Sequence, residues 1–262
     1  MEFIPCDVLK PYIKCFWGTT KPVEQQKASK KKSEIIIPDT CMDIIFDVDF
    51  TNNKIQNTFC GINDRILSIV NSIEEKMIFT FGIRFYAWGA VLFSEDTLKN
   101  TCDAFYDVGY HFEKIKREIE SLLFDATDIR KLIYKVEKIL VKHCNLKLEN
   151  TYVYQAVSEI LQNRGNIRTE QLTKELHVSS RQLERVFLEY VGVSPKKLAS
   201  MMRYQYLWND ILFSQKFDLQ EAVWKYGYSD QAHLLHDFKR FHSMNITEAK
   251  KYALKYVAFL QE

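Results

Sequence analysis

The chain has 262 residues, 47% hydrophobic and 14% aromatic, with 36 Lys+Arg against 34 Asp+Glu and a formal net charge of +2. That length accommodates two compact domains and that apolar fraction builds a core, so composition excludes a disordered, low-complexity or fibrous chain. From residue 151 onward 15 Lys+Arg stand against 12 Asp+Glu, which leaves 21 against 22 for residues 1–150, a basic bias too small to indicate nucleic acid by itself.

Cys6, Cys15, Cys41, Cys60, Cys102 and Cys144 are scattered without a Cys-x-x-Cys pair or a neighbouring His. Free buried thiols are therefore favoured over a zinc site or a disulfide scaffold. The opening MEFIPCDVLKPYIK is interrupted by charges and proline, and no stretch reaches the ~20 apolar residues of a membrane span. A soluble, cytoplasmic protein without a leader is expected.

From Lys14 to about Phe93 the chain reads as short strands rich in β-branched and aromatic residues: CFWGTT, SEIIIPD, MDIIFDVDF, TFCGI, RILSIV and KMIFTFGIRFY. Between them lie a polar loop from Lys21 to Ser33, carrying Lys30, Lys31 and Lys32 as a solvated basic run, and turns at Asn52-Asn53 and Ile62-Asn63-Asp64. Six or so such strands suggest a β-sandwich or small barrel. A metal-dependent barrel needs about three clustered ligands, and residues 1–150 contain only His111 and His143, both in predicted helices. No metal or other cofactor is expected. The sequence has no nucleophile elbow, phosphate loop or dinucleotide fingerprint either, so no enzymatic chemistry is read from it. Asp39 and Asp43 flank Cys41 and read as turn and edge residues. The candidates for a sensory pocket are Trp17, Arg84, Tyr86 and Trp88, because an arginine among aromatics clamps an anionic or planar small molecule; the alternative is that the rings are core and Arg84 is a cross-strand residue.

Two helices are predicted next. Tyr110 to Phe124 carries an apolar stripe of Phe112, Ile115, Ile119, Leu122 and Leu123. Asp128 to Cys144 places Ile129, Leu132, Ile133, Val136, Ile139 and Leu140 three and four apart, with Lys131, Lys135, Lys138 and Lys142 off the stripe. The second stripe fits either a homodimer seam or packing on the preceding strands. Asn145 to Asn150 forms a short polar linker.

The most informative stretch, Ile167 to Lys250, holds a helix-turn-helix pattern twice: LTKELHVSSRQLERVFLEYVGVSP and LQEAVWKYGYSDQAHLLHDFKRFHSM. Each first helix has apolar residues at helical spacing, Leu172 and Leu176 in one copy and Leu219 and Val223 in the other. Each second helix opens at a hydroxyl cap, Ser179 or Ser180 and then Ser229. Leu183, Val186, Phe187 and Tyr190 form the apolar stripe of the first such helix, and Leu234, Leu235, Phe238 and Phe241 that of the second. Their polar faces carry Arg181, Glu184 and Arg185, and Gln231, His233, His236, Lys239 and Arg240. A helix so held, with a polar outward face, is the geometry that reads base edges in the major groove. Ser194-Pro195 opens the helix that joins the units; at some twenty residues it is roughly 30 Å long, close to the ~34 Å of one B-DNA turn.

These residues resemble the AraC/XylS family of bacterial transcription regulators. The resemblance is dense from Tyr152 to Tyr252 and rests on SSRQLERVF, GVSPKKL, YGYSDQAHLLHDFKRF and MNITEAKKY. Glu248 stands where the family usually has a proline, and His236 where it most often has arginine. The segments PCDVLKPYIKCFWG, IIIPDTCMDIIF, FCGI and FGIRFYAWGAVLF are similar to an uncharacterised N-terminal type of the same family, with Ala87-Trp88-Gly89 departing from its usual Phe-x-Pro-Gly-Gly.

With the resemblance, the chain reads as an α+β two-domain protein: a cupin-like β-rich regulatory domain (β-sandwich or barrel) at 1–107, linking helices at 108–150 that are candidates for dimerisation, and an all-α DNA-binding domain at 151–262. It implies a regulator that binds double-stranded DNA and RNA polymerase and answers to an effector or a partner; the alternative is a regulator whose N-terminal part serves only assembly. Arg181, Glu184, Arg185, Gln231 and His236 are then the base contacts. Ser180, Lys196, Lys197, Arg203, Lys239 and Arg240 are the phosphate contacts.

Overall fold

The computed structural model describes the chain apart from residues 20–21, 26–32, 71–75, 127, 215 and 260–262, so the run Lys30 to Lys32 lies outside the described residues. The fold class is as expected, an antiparallel β-rich region followed by helices. The strands are β1 (Glu2–Phe3), β2 (Ile13–Gly18), β3 (Val23–Gln25), β4 (Ser33–Ile36), β5 (Cys41–Asp49), β6 (Lys54–Cys60), β7 (Leu67–Val70), β8 (Lys76–Tyr86) and β9 (Phe105–Tyr106). A seven-stranded sheet has the order β1-β2-β8-β5-β6-β9, with β3 also on β8, and β4 pairs with β7 in a separate two-stranded sheet. Strand β3 interrupts the loop expected from Lys21 to Ser33.

Period two sets the faces of the large sheet. Met42, Ile44, Phe46 and Val48 of β5 sit opposite Phe85, Ile83, Phe81 and Phe79 of β8, and all eight are fully buried. Each such side chain contributes about 1.5–3 kcal/mol by leaving water. On the other face Asp43 pairs with Arg84 and Ile45 with Gly82. Trp17 lies over Gly82, where a Cβ would stand 2.2 Å from its ring, so only glycine fits.

Helices α1 (Gly109–Leu123) and α2 (Ile129–His143) close the apolar face. Phe112 interrupts α1 with non-helical φ −137° and ψ 43°, and its ring meets Phe59 edge-on at 4.9 Å. Asp128 caps α2 by accepting from the Arg130 and Lys131 N–H groups. Ile129, Leu132, Ile133, Val136 and Leu140 are buried and Ile139 half-buried within the single chain, where α2 packs on α1. This corrects the dimer seam: the stripe is already covered, and Tyr134 and Val141 on the outer face remain exposed.

The rest is helical: α3 (Thr151–Gln162), α4 (Thr169–Glu175), α5 (Ser180–Tyr190), α6 (Pro195–Phe213), α7 (Leu219–Lys225), α8 (Gln231–His242) and α9 (Ile246–Phe259). Helix α6 has Ser194 as its cap and Pro195 at its start, and it buries Leu198, Met201, Met202, Leu207 and Trp208. Its 19 residues span about 28 Å at ~1.5 Å each, and both α5 and α8 pack on it.

The two units repeat at the level of single hydrogen bonds. After α4 the Val178 N–H donates to the Thr173 carbonyl at 3.1 Å, and after α7 the Tyr228 N–H donates to Val223 at 3.0 Å. The residue just before is left-handed in both, His177 at φ 51° and Gly227 at φ 66°. These are helix-terminating turns that satisfy otherwise free carbonyls. Ser179 caps α5 as expected, whereas the cap of α8 is Asp230, which accepts from the His233 N–H; Ser229 lies one residue too early.

Candidate nucleic-acid interface

Leu183, Val186 and Phe187 hold α5 in the core, and Leu234, Phe238 and Phe241 hold α8, while Leu235, expected on the stripe, is 41% exposed. Anchoring on these faces turns Arg181, Glu184 and Arg185 outward on α5, and Gln231, His236, Lys239 and Arg240 outward on α8. Among the described residues Arg181, Glu184, Lys196, His236 and Lys239 are exposed and appear in no hydrogen bond or ion pair through their side chains, which leaves them free for a ligand. Ser180 is exposed at the start of α5. Arg185 bonds both oxygens of Glu189, at 3.1 and 3.2 Å. Gln231 donates to Gln220 at 2.7 Å.

Three of the expected phosphate contacts, Arg203, Arg240 and Lys197, are engaged within the protein. Arg203 donates to Asp237 at 3.1 Å and its guanidinium lies 4.2 Å from the Tyr228 ring centroid. Asp237 is only 6% exposed, and it also pairs with Arg240 at 2.8 Å and accepts from the Tyr228 hydroxyl at 3.3 Å. Arg203 is thus a tie between α6 and α8, since a buried carboxylate needs its charge and lone pairs satisfied. Lys197 lies 2.5 Å from the Asp64 carboxylate and 3.5 Å from the Cys102 sulfur, both in the β-rich region. Asp237 had a sequence signal: it sits three residues after Leu234 and four before Phe241, a charge on the apolar face. The Asp64 contact had none, being set by loop placement.

The β-rich region meets α6 along a cleft of about 650 Å³ that Arg84, Tyr86 and Trp88 line together with Lys14, Thr40, Met202 and Gln205. Tyr86 and Trp88 stack with centroids 4.8 Å apart and planes within 3°. Arg84 is fully used: its Nε and Nη2 donate to Asp43 at 3.0 and 2.9 Å, and Nη1 faces Asp39 at 3.3 Å. Asp39 and Asp43 therefore compensate Arg84, which is the cross-strand reading of that residue. Trp17 donates to Asp43 at 2.8 Å, shares that carboxylate with Arg84, and lines with Arg84 a second cavity that Tyr86 and Trp88 do not reach. Among the described residues Lys14 reaches the Cys41 sulfur, at 3.8 Å, and no carboxylate within 4 Å.

All six cysteines are free, with Cys15 and Cys41 buried and the others half-buried. Burial pushes the Cys41 and Cys60 thiols up to about 12 and Cys15 up to about 11, away from reactive thiolates. Among the described residues one group of metal-type donors comes together, Asp64, Cys102 and Asp103, and cations already hold its carboxylates: Lys197 on Asp64, and Arg65 on Asp103 at 2.9 Å.

Two turn-matched helix pairs on one shared helix define a paired helix-turn-helix domain. Residues 172–252 match the family model described as a helix-turn-helix domain, and residues 1–105 match a domain of unknown function (DUF6597). The matched residues run from α4 to α9 and so take in both turn-matched helix pairs. Solved structures similar to the chain at low identity include ToxT from Vibrio cholerae, 14% identical over 90% of this chain and 97% of that one with a TM-score of 0.43. Another ToxT structure from Vibrio cholerae, bound to an unsaturated fatty acid, is 12% identical over 89% and 94% with a TM-score of 0.41. A probable AraC family transcriptional regulator from Rhodopseudomonas palustris is 24% identical over 40% and 98% with a TM-score of 0.35. No protein of curated function matches the chain. Among the described residues no helix is long and apolar enough to cross a membrane.

Proposed function

We propose that the protein is a sequence-specific transcription regulator of the bacterial cytoplasm, with double-stranded DNA and RNA polymerase as partners, and that the β-rich region tunes its reader. The observation that carries this reading is the pair of outward polar faces on α5 and α8, both anchored on α6. Arg181, Glu184 and Arg185 read one major groove, and Gln231 and His236 the next. Ser180, Lys196, Lys239 and Arg240 position the domain on phosphates without reading sequence. Selection of bound sites from random duplexes by the full chain tests it: one enriched consensus with two specified boxes is expected, and no enrichment of any sequence sinks the reading.

The cleft beside α6 is the effector site of this regulator, for a planar or anionic molecule. Lys14 supplies the free charge there, because Arg84 is neutralised, and the Tyr86–Trp88 pair supplies the flat apolar wall. A planar anionic dye, anilinonaphthalene sulfonate, should bind there and lose affinity in Lys14→Met; equal binding to both proteins favours the alternative, a β-rich region that serves only assembly.

A further inference from the structure

Lys197 stands in the first turn of α6, beside the exposed and unpaired Lys196, where a phosphate contact is expected. Its ammonium instead meets Asp64 at 2.5 Å and the Cys102 sulfur at 3.5 Å. The loop that presents Asp64 is fixed: its N–H donates to Asp103 at 2.9 Å, and Asp103 is in turn held by Arg65 at 2.9 Å. Neighbouring contacts grip the same junction between α5 and α6. The Leu98 N–H donates to the Glu189 carbonyl near the end of α5 at 2.8 Å. Gly192, at φ +77°, approaches so closely that a Cβ would stand 2.5 Å from the Thr101 hydroxyl and 2.9 Å from the Leu98 carbonyl. Further along α6, Thr40 donates to Gln205 at 3.1 Å.

We propose that Asp64 is an internal competitor for the DNA phosphate: it neutralises Lys197 in the free protein, and it must be displaced before Lys197 can touch the backbone. The β-rich region thereby restrains the first reading unit through one carboxylate. A carboxylate and a phosphate oxygen offer an ammonium the same anionic acceptor, so the two are alternatives for one group. This inference rests on the DNA-binding reading above.

The test is a binding titration of the full chain on its selected duplex and on a random duplex. Asp64→Asn should tighten both by about two- to fivefold, the range of a partly exposed ion pair, because a phosphate contact is blind to sequence. Adding Lys197→Met to that variant should remove the gain and make the salt dependence shallower by about 0.9 in log–log slope. Asp64→Ser repeats the measurement with a smaller uncharged side chain if the amide disturbs the loop, and thermal melts report that each variant is folded. Unchanged or weaker binding by both folded variants, or a gain that survives Lys197→Met, overturns the competition. A wild-type chain that binds neither duplex contradicts the DNA-binding reading itself.

Discussion

The two helix-turn-helix units share a turn and a scaffold but are held by different chemistry. The first reading helix is held by an apolar stripe and by the backbone grip of the β-rich region on its end, so Arg181 and Glu184 are left free among the described residues. The second is tied to α6 by a buried ionic hub, Asp237 with Arg203, Arg240 and Tyr228, and by His242, which lies 2.7 Å from the Tyr204 hydroxyl. Charges on the second helix therefore serve two tasks, and fewer of them are available for DNA. Sequence discrimination should be concentrated in the first unit, and sensitivity to charge and pH in the second.

The sharpest break of this contrast is Asp237→Ala. It leaves the half-buried Arg203 with the Tyr228 ring but no carboxylate, and should cost about 3–5 kcal/mol in urea unfolding, as removing one member of a buried pair does. Glu189→Ala, which frees only the 62% exposed Arg185, should cost under about 0.5 kcal/mol. Equal losses would erase the distinction.

Acid should act on the second unit next. Burial pushes the His242 imidazole down to about 4 from its ordinary 6.5, so between those values the unfolded chain binds more protons than the folded one. Its contribution is complete above pH 6.5 and is lost as pH falls toward 4, by up to about 3 kcal/mol. Unfolding midpoints measured across this window should show the loss, and His242→Gln should flatten it.

How much of this was legible is itself uneven across the two regions. Periodicity and capping residues located α2, α5 and α6 to within a residue or so, because those signals are local. Strands β1, β3 and β9 have two or three residues each and form only because a neighbour is present, so no periodicity announces them. The stripe of α2 was visible, but a stripe does not say which surface covers it. Arg84, Arg203 and Lys197 show the same limit in the site: each was recognisable as a cation near function, while its partner lies 34 to 133 residues away in sequence. Only the fold decides that Asp43, Asp237 and Asp64 neutralise them.

Binding measurements sharpen the contrast further. Arg181→Ala should weaken the preferred duplex by about 1–3 kcal/mol and random duplex much less, as loss of a base contact does. Gln231→Ala should cost about 1 kcal/mol, because Gln231 must first release Gln220. A uniform loss across sequences would make Arg181 a phosphate contact. The turns give the smallest effect. His177 is left-handed and exposed where the second unit has Gly227, so His177→Gly should raise the thermal midpoint by the equivalent of up to about 1 kcal/mol. Gly227→Ala should lower it, its Cβ meeting Asn166 Oδ1 at 2.1 Å.

The most direct test is site selection from random duplexes by wild type, Arg181→Ala and Gln231→Ala, read base by base. Two reading helices on one ~28 Å scaffold require two specified boxes about one helical turn, ~10–10.5 base pairs, apart. Arg181→Ala should relax one box and Gln231→Ala the other. A single box, or loss of both boxes from either substitution, would contradict the paired-reader account.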